Sequence, residues 1–326
     1  MIKELMKIKG MELAGRIIMP PIATYKCDDE GHVTQEACAY YGARAANPNV
    51  SLIITEHSYV ALQGIARKKQ LSIADDACIP GLKNLVAAIH EGGALAVAQL
   101  NHAGAAADTQ ASGMAAVAPS SVVLPTNSPI GENRLPEALG KDQLDVIAEE
   151  FVAAAARAKE AGYDGVEIHS AHAYLLNQFY SPLTNKREDE YGGSLENRVR
   201  FHRQVIRAVR AAVGEDYPVF IRLGACDYME GGSTIDDAVA AAKIFEAEGV
   251  DLIDVSGGMC RYTRKGNTRA DYFRDVSKAI KDAVSVKVNL TGGVKTKAEA
   301  EALLEAGVSD LIGVGRELLK DAEWDK

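Results

Sequence analysis

The 326-residue chain is 47% hydrophobic, enough for a large core, and its net charge of −9 at pH 7 speaks against a nucleic-acid partner. No apolar run reaches the length of a membrane span, and the opening MIKELMKIKGMELAGR has no apolar signal core, so neither a membrane protein nor an exported one is expected. Five scattered cysteines (Cys27, Cys38, Cys78, Cys226, Cys260) offer no C-x-x-C pair for an iron–sulfur cluster or zinc ribbon, and fit reduced thiols in a cytoplasm.

Short apolar runs recur along the chain, each followed by an Ala-rich helical pattern. RIIMPP (16–21) precedes a helix predicted at 34–46, and SLIITE (51–56) precedes one at 80–92. LAVAQL (95–100) comes third, and its helix waits until 141–162. GVEIH (165–169) is followed by 195–213, VFIRL (219–223) by 234–248, and LIDVS (252–256) by 269–283. VKVNLT (286–291) and LIGVG (311–315) close the series, with helices at 296–306 and 316–321. Runs that are apolar at nearly every position imply burial on both faces, as in a parallel sheet covered by helices. Eight such units predict an α/β fold, a closed (β/α)8 TIM barrel, in one domain over 1–326. An open doubly wound sheet ranks lower, because MPPIATY and not a glycine fingerprint follows the first strand. The long interval 103–140 is rich in Gly, Ala, Ser and Pro. It is expected to form a flap or hairpin at the barrel mouth, with SSVVL as a strand-like run.

Barrel chemistry sits at the C-terminal strand ends. There the chain places Tyr25, Glu56, His57, Gln99, Asn101, His102, His169, His172, Arg222, Ser256, Thr291 and Arg316. So many polar groups predict a pocket for something large, polar and partly anionic. LTGGV (290–294) and GVGRELL (313–319) each put glycine at a strand end before a helix. Gly292, Gly293, Gly315 and Arg316 therefore form a candidate phosphate site: backbone N–H groups can approach an anion, the helix start favours it, and arginine adds a charged fork. His169 and His172 form a His-x-x-His pair that could ligate a metal, with Glu56, His57 or His102 as a third ligand.

The block HSAHAYLLNQFYSPLTNKREDEYGGSLENRVRF (169–201) resembles the most specific signature of the old yellow enzyme family, the flavin-dependent ene-reductases. RIIMPPIATY, AVAQLNHAG, VFIRLGACD, DLIDVSGG and LIGVGRELLKD agree as well, so the resemblance covers nearly the full length. It implies a cytoplasmic enzyme with non-covalent FMN, reduced by NADPH or NADH, that reduces the activated C=C bond of α,β-unsaturated carbonyl-type compounds by a ping-pong cycle. By position, Pro20, Pro21, Ile22 and Ala23 would border the flavin ring. Gln99 would meet its pyrimidine edge, Arg222 would lie near N1, and Gly293, Gly315 and Arg316 would hold the phosphate. His169 and His172 would grip the substrate's electron-withdrawing oxygen, Tyr174 would donate the proton, and Tyr25 would touch the substrate. The partner implied is a small unsaturated molecule, with neither nucleic acid nor membrane; a homo-oligomer is compatible.

Three departures from the family pattern stand out. His57 occupies a position that is usually small, so it is expected to touch the cofactor. Ala23 replaces the Cys or Thr often found near the flavin edge. The chain also ends at Lys326, without the C-terminal arginine tail of some relatives. Arg187, Asp189, Tyr191 and Arg198 read as structural braces. The loop 257–273, with Arg261, Arg264, Lys265 and Arg269, is expected to overhang the pocket and attract an anion: the NADPH 2′-phosphate or a substrate carboxylate. Two alternatives remain open: a metal-dependent hydrolase or lyase on the same barrel, and a flavin-binding electron-transfer protein.

Overall fold

A computed structural model describes residues 1–125, 134–264, 266–267 and 271–325. Eight parallel strands form the centre: Ile17–Met19, Val50–Ile54, Leu95–Asn101, Gly165–Ser170, Val219–Cys226, Leu252–Gly257, Lys287–Thr291 and Leu311–Gly313. Each pairs with the next, and the eighth returns to the first through Ile312 opposite Ile17, so the sheet closes into a barrel. The eight predicted barrel strands and the helices predicted after them are all present, with ends shifted by a few residues. The predicted 195–213 helix is divided into Leu195–Arg198 and Arg200–Val213 by Val199 at ψ 2°. Arg198 braces the break by donating to the Tyr180 and Gly193 carbonyls, with Asp237 3.2 Å away. The predicted 269–283 helix is shorter, Arg274–Lys281, and residues 268–270 lie outside the described set.

The two-residue period of a strand sorts the barrel interior into layers. At the bottom the inward positions are apolar: Ile18, Leu52, Ile54, Val97, Phe220, Leu252 and Leu311. Two residues further along the same faces come Gln99, Glu167, Arg222, Asp254 and Asn289, all buried and polar. One step higher, His169, Ser256 and Thr291 reach the open end. The alternate faces, with Ile221, Ile253, Val255, Val288 and Leu290, join the helices in the main core. The helix Lys141–Ala161 shows how the outer layer is made: Leu144, Ile147, Ala148, Phe151, Ala154, Ala155 and Ala158 recur at helical spacing and are buried.

Two features differ from expectation. An N-terminal hairpin, Met6–Ile8 with Met11–Leu13, packs four apolar side chains against the bottom layer and closes that end. The short MKIKGMEL stretch has only three residues per strand, too few for a period to register. In the inserted segment, SSVVL is not a strand: Val123 is exposed, and Val122 and Leu124 are half-buried. The strand is Val117–Ala118, paired in parallel with Glu137–Ala138, so the described residues form no hairpin. Residues 126–133 lie outside the described set. None of the segment's described residues lines the cavity at the barrel mouth. Ala103, Ala106, Ala107 and Ala116 pack with Ala66 against Tyr174. Among the described residues no helix is long and apolar enough to cross a membrane.

Candidate active site

A cavity of about 670 Å³ opens at the C-terminal end of the barrel. It is lined by Pro20, Pro21, Ile22, Ala23, Tyr25, His57, Gln99, His169, His172, Tyr174, Arg222, Gly292, Gly293, Gly315 and Arg316. Every residue that the sequence singled out for cofactor or substrate is therefore in one place. Tyr262, Asn267 and Tyr272, from the loop expected to overhang the pocket, line it too, as do Gly313 and Arg67, and the sequence did not point to Arg67. Arg67 comes from a loop without periodicity, so only its spatial position marks it. Glu56, Asn101 and His102 do not reach the cavity. Glu56 accepts from Thr24 and the Tyr41 hydroxyl, and burial pushes its carboxyl up to about 7. His102 accepts from the Gly104 N–H, and burial pushes it down to about 4.

The loop after the fourth strand sets the reactive side chains. His172 and Ala173 take φ of 61° and 64°, a left-handed conformation that L-residues hold only when surroundings fix it. Asn177 accepts the Ala173 N–H at 2.8 Å, Gln178 donates to the Ala173 carbonyl at 2.6 Å, and the His172 N–H reaches Gly257 at 3.1 Å. The turn gathers three rings. His169 lies 5.1 Å from His172 and 5.1 Å from Tyr174, edge-to-face with both. Ser256 Oγ sits 2.7 Å from His172 Nε2. A hydroxyl that donates there puts the imidazole proton on the other nitrogen. His169 Nδ1 is buried and has no partner, so the ring keeps an unfilled hydrogen-bonding position. Burial, with the Arg222 charge acting in the same direction, holds both imidazoles well below the ordinary histidine range, and both are neutral donors at working pH. Burial raises the Tyr174 phenol above 10, so it keeps its proton.

His57 completes the group. Its ring stacks on Tyr174 at 5.2 Å. Gln70 Nε2 lies 2.9 Å and Asn101 Nδ2 3.2 Å from its Nδ1. Two amide donors on Nδ1 leave the ring proton on Nε2. Burial, helped by the charges of Arg67, Arg261 and Arg222, pushes this imidazole down to about 3. His202, outside the cavity against Ser170, is also pushed to about 3 by burial. Nitrogen-15 NMR between pH 5 and 8 is therefore expected to find His57, His102, His169, His172 and His202 neutral throughout. His57 should show the Nε2–H tautomer. An imidazolium signal from His57 at pH 6 would contradict this geometry.

The cavity floor is a polar network. Gln99 donates its amide to Glu167 at 2.8 Å, which leaves the Gln99 carbonyl oxygen as the acceptor toward the cavity. Arg222 Nε stands 3.1 Å from Asp254 Oδ2, an ion pair without aligned hydrogen-bond geometry. Asn289 and Thr291 donate to the other Asp254 oxygen, at 2.5 and 3.2 Å. Arg222 is thus a fixed cation in the wall. Burial and the Asp254 charge hold Glu167 well above the usual carboxylate range.

The far end has the features an anion needs. Gly293 has φ 81°, and a Cβ on Gly313 would sit 2.1 Å from Thr291 Oγ1. Arg316 opens the last helix and donates to the Tyr272 hydroxyl at 2.5 Å. A flavin mononucleotide fits this donor set. Gly292, Gly293, Gly315 and Arg316 would hold its phosphate, Gln99 would offer an acceptor and Arg222 a cation to its ring edge, and Pro20, Pro21, Ile22 and Ala23 would form an apolar wall. Gly293→Ala forces a side chain into a left-handed position and disturbs that cradle. It is expected to weaken FMN binding by about tenfold, the loss of one charge-assisted hydrogen bond, read as flavin fluorescence released on dilution.

Elsewhere, the signature's tail is structural as expected. Arg187 forks onto Asp189 at 2.9 and 2.6 Å and caps the Leu139 carbonyl. The basic loop divides. Arg261 lines the cavity, whereas Arg264 turns away to pair with Asp275 at 2.9 Å and lies over the Tyr228 ring. Lys265 and Arg269 lie outside the described residues. Among the described residues His169 and His172 gather no third ligand. The one trio of potential metal ligands among the described residues is His32, Asp75 and Cys78, in another part of the fold. All five cysteines are free, and burial raises their thiols.

Comparison with known proteins agrees with this geometry. Residues 4–326 match the model of the NADH:flavin oxidoreductase / NADH oxidase family. An NADPH dehydrogenase of a Geobacillus species is 38% identical over 319 residues, covering 97% of this chain and 90% of that protein. An NADH oxidase of Thermoanaerobacter brockii is 37% identical over 326 residues, 98% of this chain but 49% of that protein, so the chain spans about half the length of that relative. Among solved structures, the old yellow enzyme homologue from Zymomonas mobilis superposes with a TM-score of 0.86 at 27% identity, covering 99% of this chain and 90% of that one. Morphinone reductase does so with 0.87 at 26%, covering 99% and 87%.

Proposed function

The chain belongs to the NADH:flavin oxidoreductase / NADH oxidase family, and from that premise we propose that it is an FMN-dependent ene-reductase, taking reducing equivalents from NAD(P)H and saturating the activated C=C bond of α,β-unsaturated carbonyl-type compounds. The observation that carries the reading is the trio His169, His172 and Tyr174. Two neutral N–H donors and one phenol that keeps its proton converge on the cavity that also holds Gln99, Arg222 and the glycine cradle. The chemistry FMN supplies when bound is two-electron transfer between the nicotinamide and the alkene.

The protein's own groups do the rest. The pocket places one substrate oxygen against His169 and His172. As charge builds on that oxygen, their N–H groups stabilise it without having to reorganise, because Ser256 and the Gly257 carbonyl already fix the His172 ring and backbone. Tyr174 gives its phenolic proton to the carbon adjacent to the conjugated group, and solvent restores it. Arg222, held by Asp254, keeps a positive charge at the cavity wall, where it would stabilise negative charge on the cofactor. Stacking on His57 and the alanines behind it leave Tyr174 little freedom to swing.

The test is an absorption spectrum of the FMN-loaded protein under anaerobic conditions, before and after NADPH and then 2-cyclohexenone. Bleaching followed by recovery of the flavin band is the expected result. Bleaching without recovery by this or any activated alkene would favour an electron-transfer role. A protein that does not retain FMN would end the flavin reading.

A further inference from the structure

The cavity has two groups of cations, and one phosphate accounts for only one of them. Among the described residues, six basic side chains line it (Arg67, Arg222, Arg261, Lys295, Arg316, Lys320) against a single acid, Glu317. Arg222 is matched by Asp254, and Lys320 by Glu317 at 2.9 Å. Lys295 and Arg316 stand at the glycine end, where the cofactor phosphate fits. Arg67 belongs to the mouth. Its guanidinium lies 4.9 Å from the Tyr25 ring and donates to the Tyr25 hydroxyl, and no described carboxylate pairs with it. Arg261 lines the same end, 5.1 Å from the Tyr262 ring, which itself lies 5.4 Å from His172. Tyr25 and Tyr262 are both substantially exposed, so this end faces incoming ligand. The nearby histidines supply N–H donors but no charge, so Arg67 supplies the positive charge there, with Arg261 on the same lining.

We propose that this end of the cavity is an anion subsite, and that the substrate carries a carboxylate in addition to its activated C=C bond, held by Arg67 with Arg261 near it. The inference rests on the ene-reductase reading and names its substrate class. The carboxylate replaces water on a half-buried guanidinium that already presents its face through the Tyr25 ring, which makes a charge-assisted hydrogen bond stronger than at an open surface. The 2′-phosphate of NADPH carries the same kind of charge, and the experiment separates the two.

N-ethylmaleimide and 3-maleimidopropionate share one activated C=C bond and differ by a carboxylate; the corresponding succinimides bind without turnover. With FMN-loaded protein, 3-succinimidopropionate is expected to bind about tenfold more tightly than N-ethylsuccinimide, the worth of one charge-assisted hydrogen bond, and the maleimides should show a similar ratio in kcat/KM. The ratio should fall toward one in Arg67→Gln, return in part in Arg67→Lys, and shrink at high ionic strength. Equal affinities in the unmodified protein would overturn the proposal, as would a ratio that Arg67→Gln leaves unchanged. A variant that raises KM for NADPH but not NADH and leaves the imide ratio intact would assign Arg67 to the nucleotide phosphate and overturn the substrate carboxylate. If neither maleimide is reduced while the acid imide still binds more tightly, the anion subsite stands and the ene-reductase reading falls.

Discussion

Replacing Tyr174 with Phe is expected to lower alkene turnover by about 10²–10⁴-fold, the usual worth of a positioned general acid, while the NAD(P)H half-reaction continues. The hydroxyl is the only part removed. The ring still stacks on His57 at 5.2 Å and packs against Ala66, Ala103 and Ala116, so the pocket keeps its shape. Stopped-flow separation of the two half-reactions is the measurement. An equal loss in both would mean that Tyr174 serves the cavity's shape or the cofactor and not proton transfer. The pH dependence follows from the sign of the phenol's shift. Burial raises it above 10, so the acid form is present throughout neutral pH, and the rate falls only as pH rises through that higher value.

Removing a donor to the substrate oxygen should cost as much. His172→Ala deletes one of the two N–H groups, and a loss of about 10²–10³ in the alkene step is expected, typical for one preorganised oxyanion donor. His172→Asn, which keeps an N–H donor, should recover part of it. Because His169 and His172 are both held neutral well below the ordinary histidine range, protonation does not switch them between pH 6 and 9. A kcat/KM profile with a histidine-like ionisation near pH 6.5 that vanishes in His172→Ala would show that an imidazolium, and not an imidazole, polarises the substrate.

Much of this site was legible because strand and helix periods expose it. Eight apolar runs alternate with helices, strand ends in a barrel point to one face, and polar residues at those ends stand out against the runs that carry them. Gly292, Gly293, Gly315 and Arg316, which line the cavity, were readable for the same reason: they stand at strand ends before helices. Arg67 was not readable. It lies in a loop of no period, and its place follows from a path back to the Tyr25 ring. SSVVL reads as a strand from its apolar content, but Val123 is exposed and Leu124 only partly buried against the alanine cluster, so the run gains no strand partner among the described residues. The N-terminal hairpin escaped because three residues per strand give no alternation to count.

The sequence by itself determined the barrel, its strand order and which face would carry the chemistry. These follow from local period and chirality, which every segment repeats. Tertiary structure alone decided which of two arginines in one basic loop faces the cavity, Arg261 rather than Arg264, and which nitrogen of His57 holds the proton. It also decided that four alanines of the inserted segment pack against Tyr174. Each of these depends on what lies across space, Asp275, Gln70 and Asn101, or the alanines around Tyr174, and contacts between residues far apart in the chain leave no periodic trace in it.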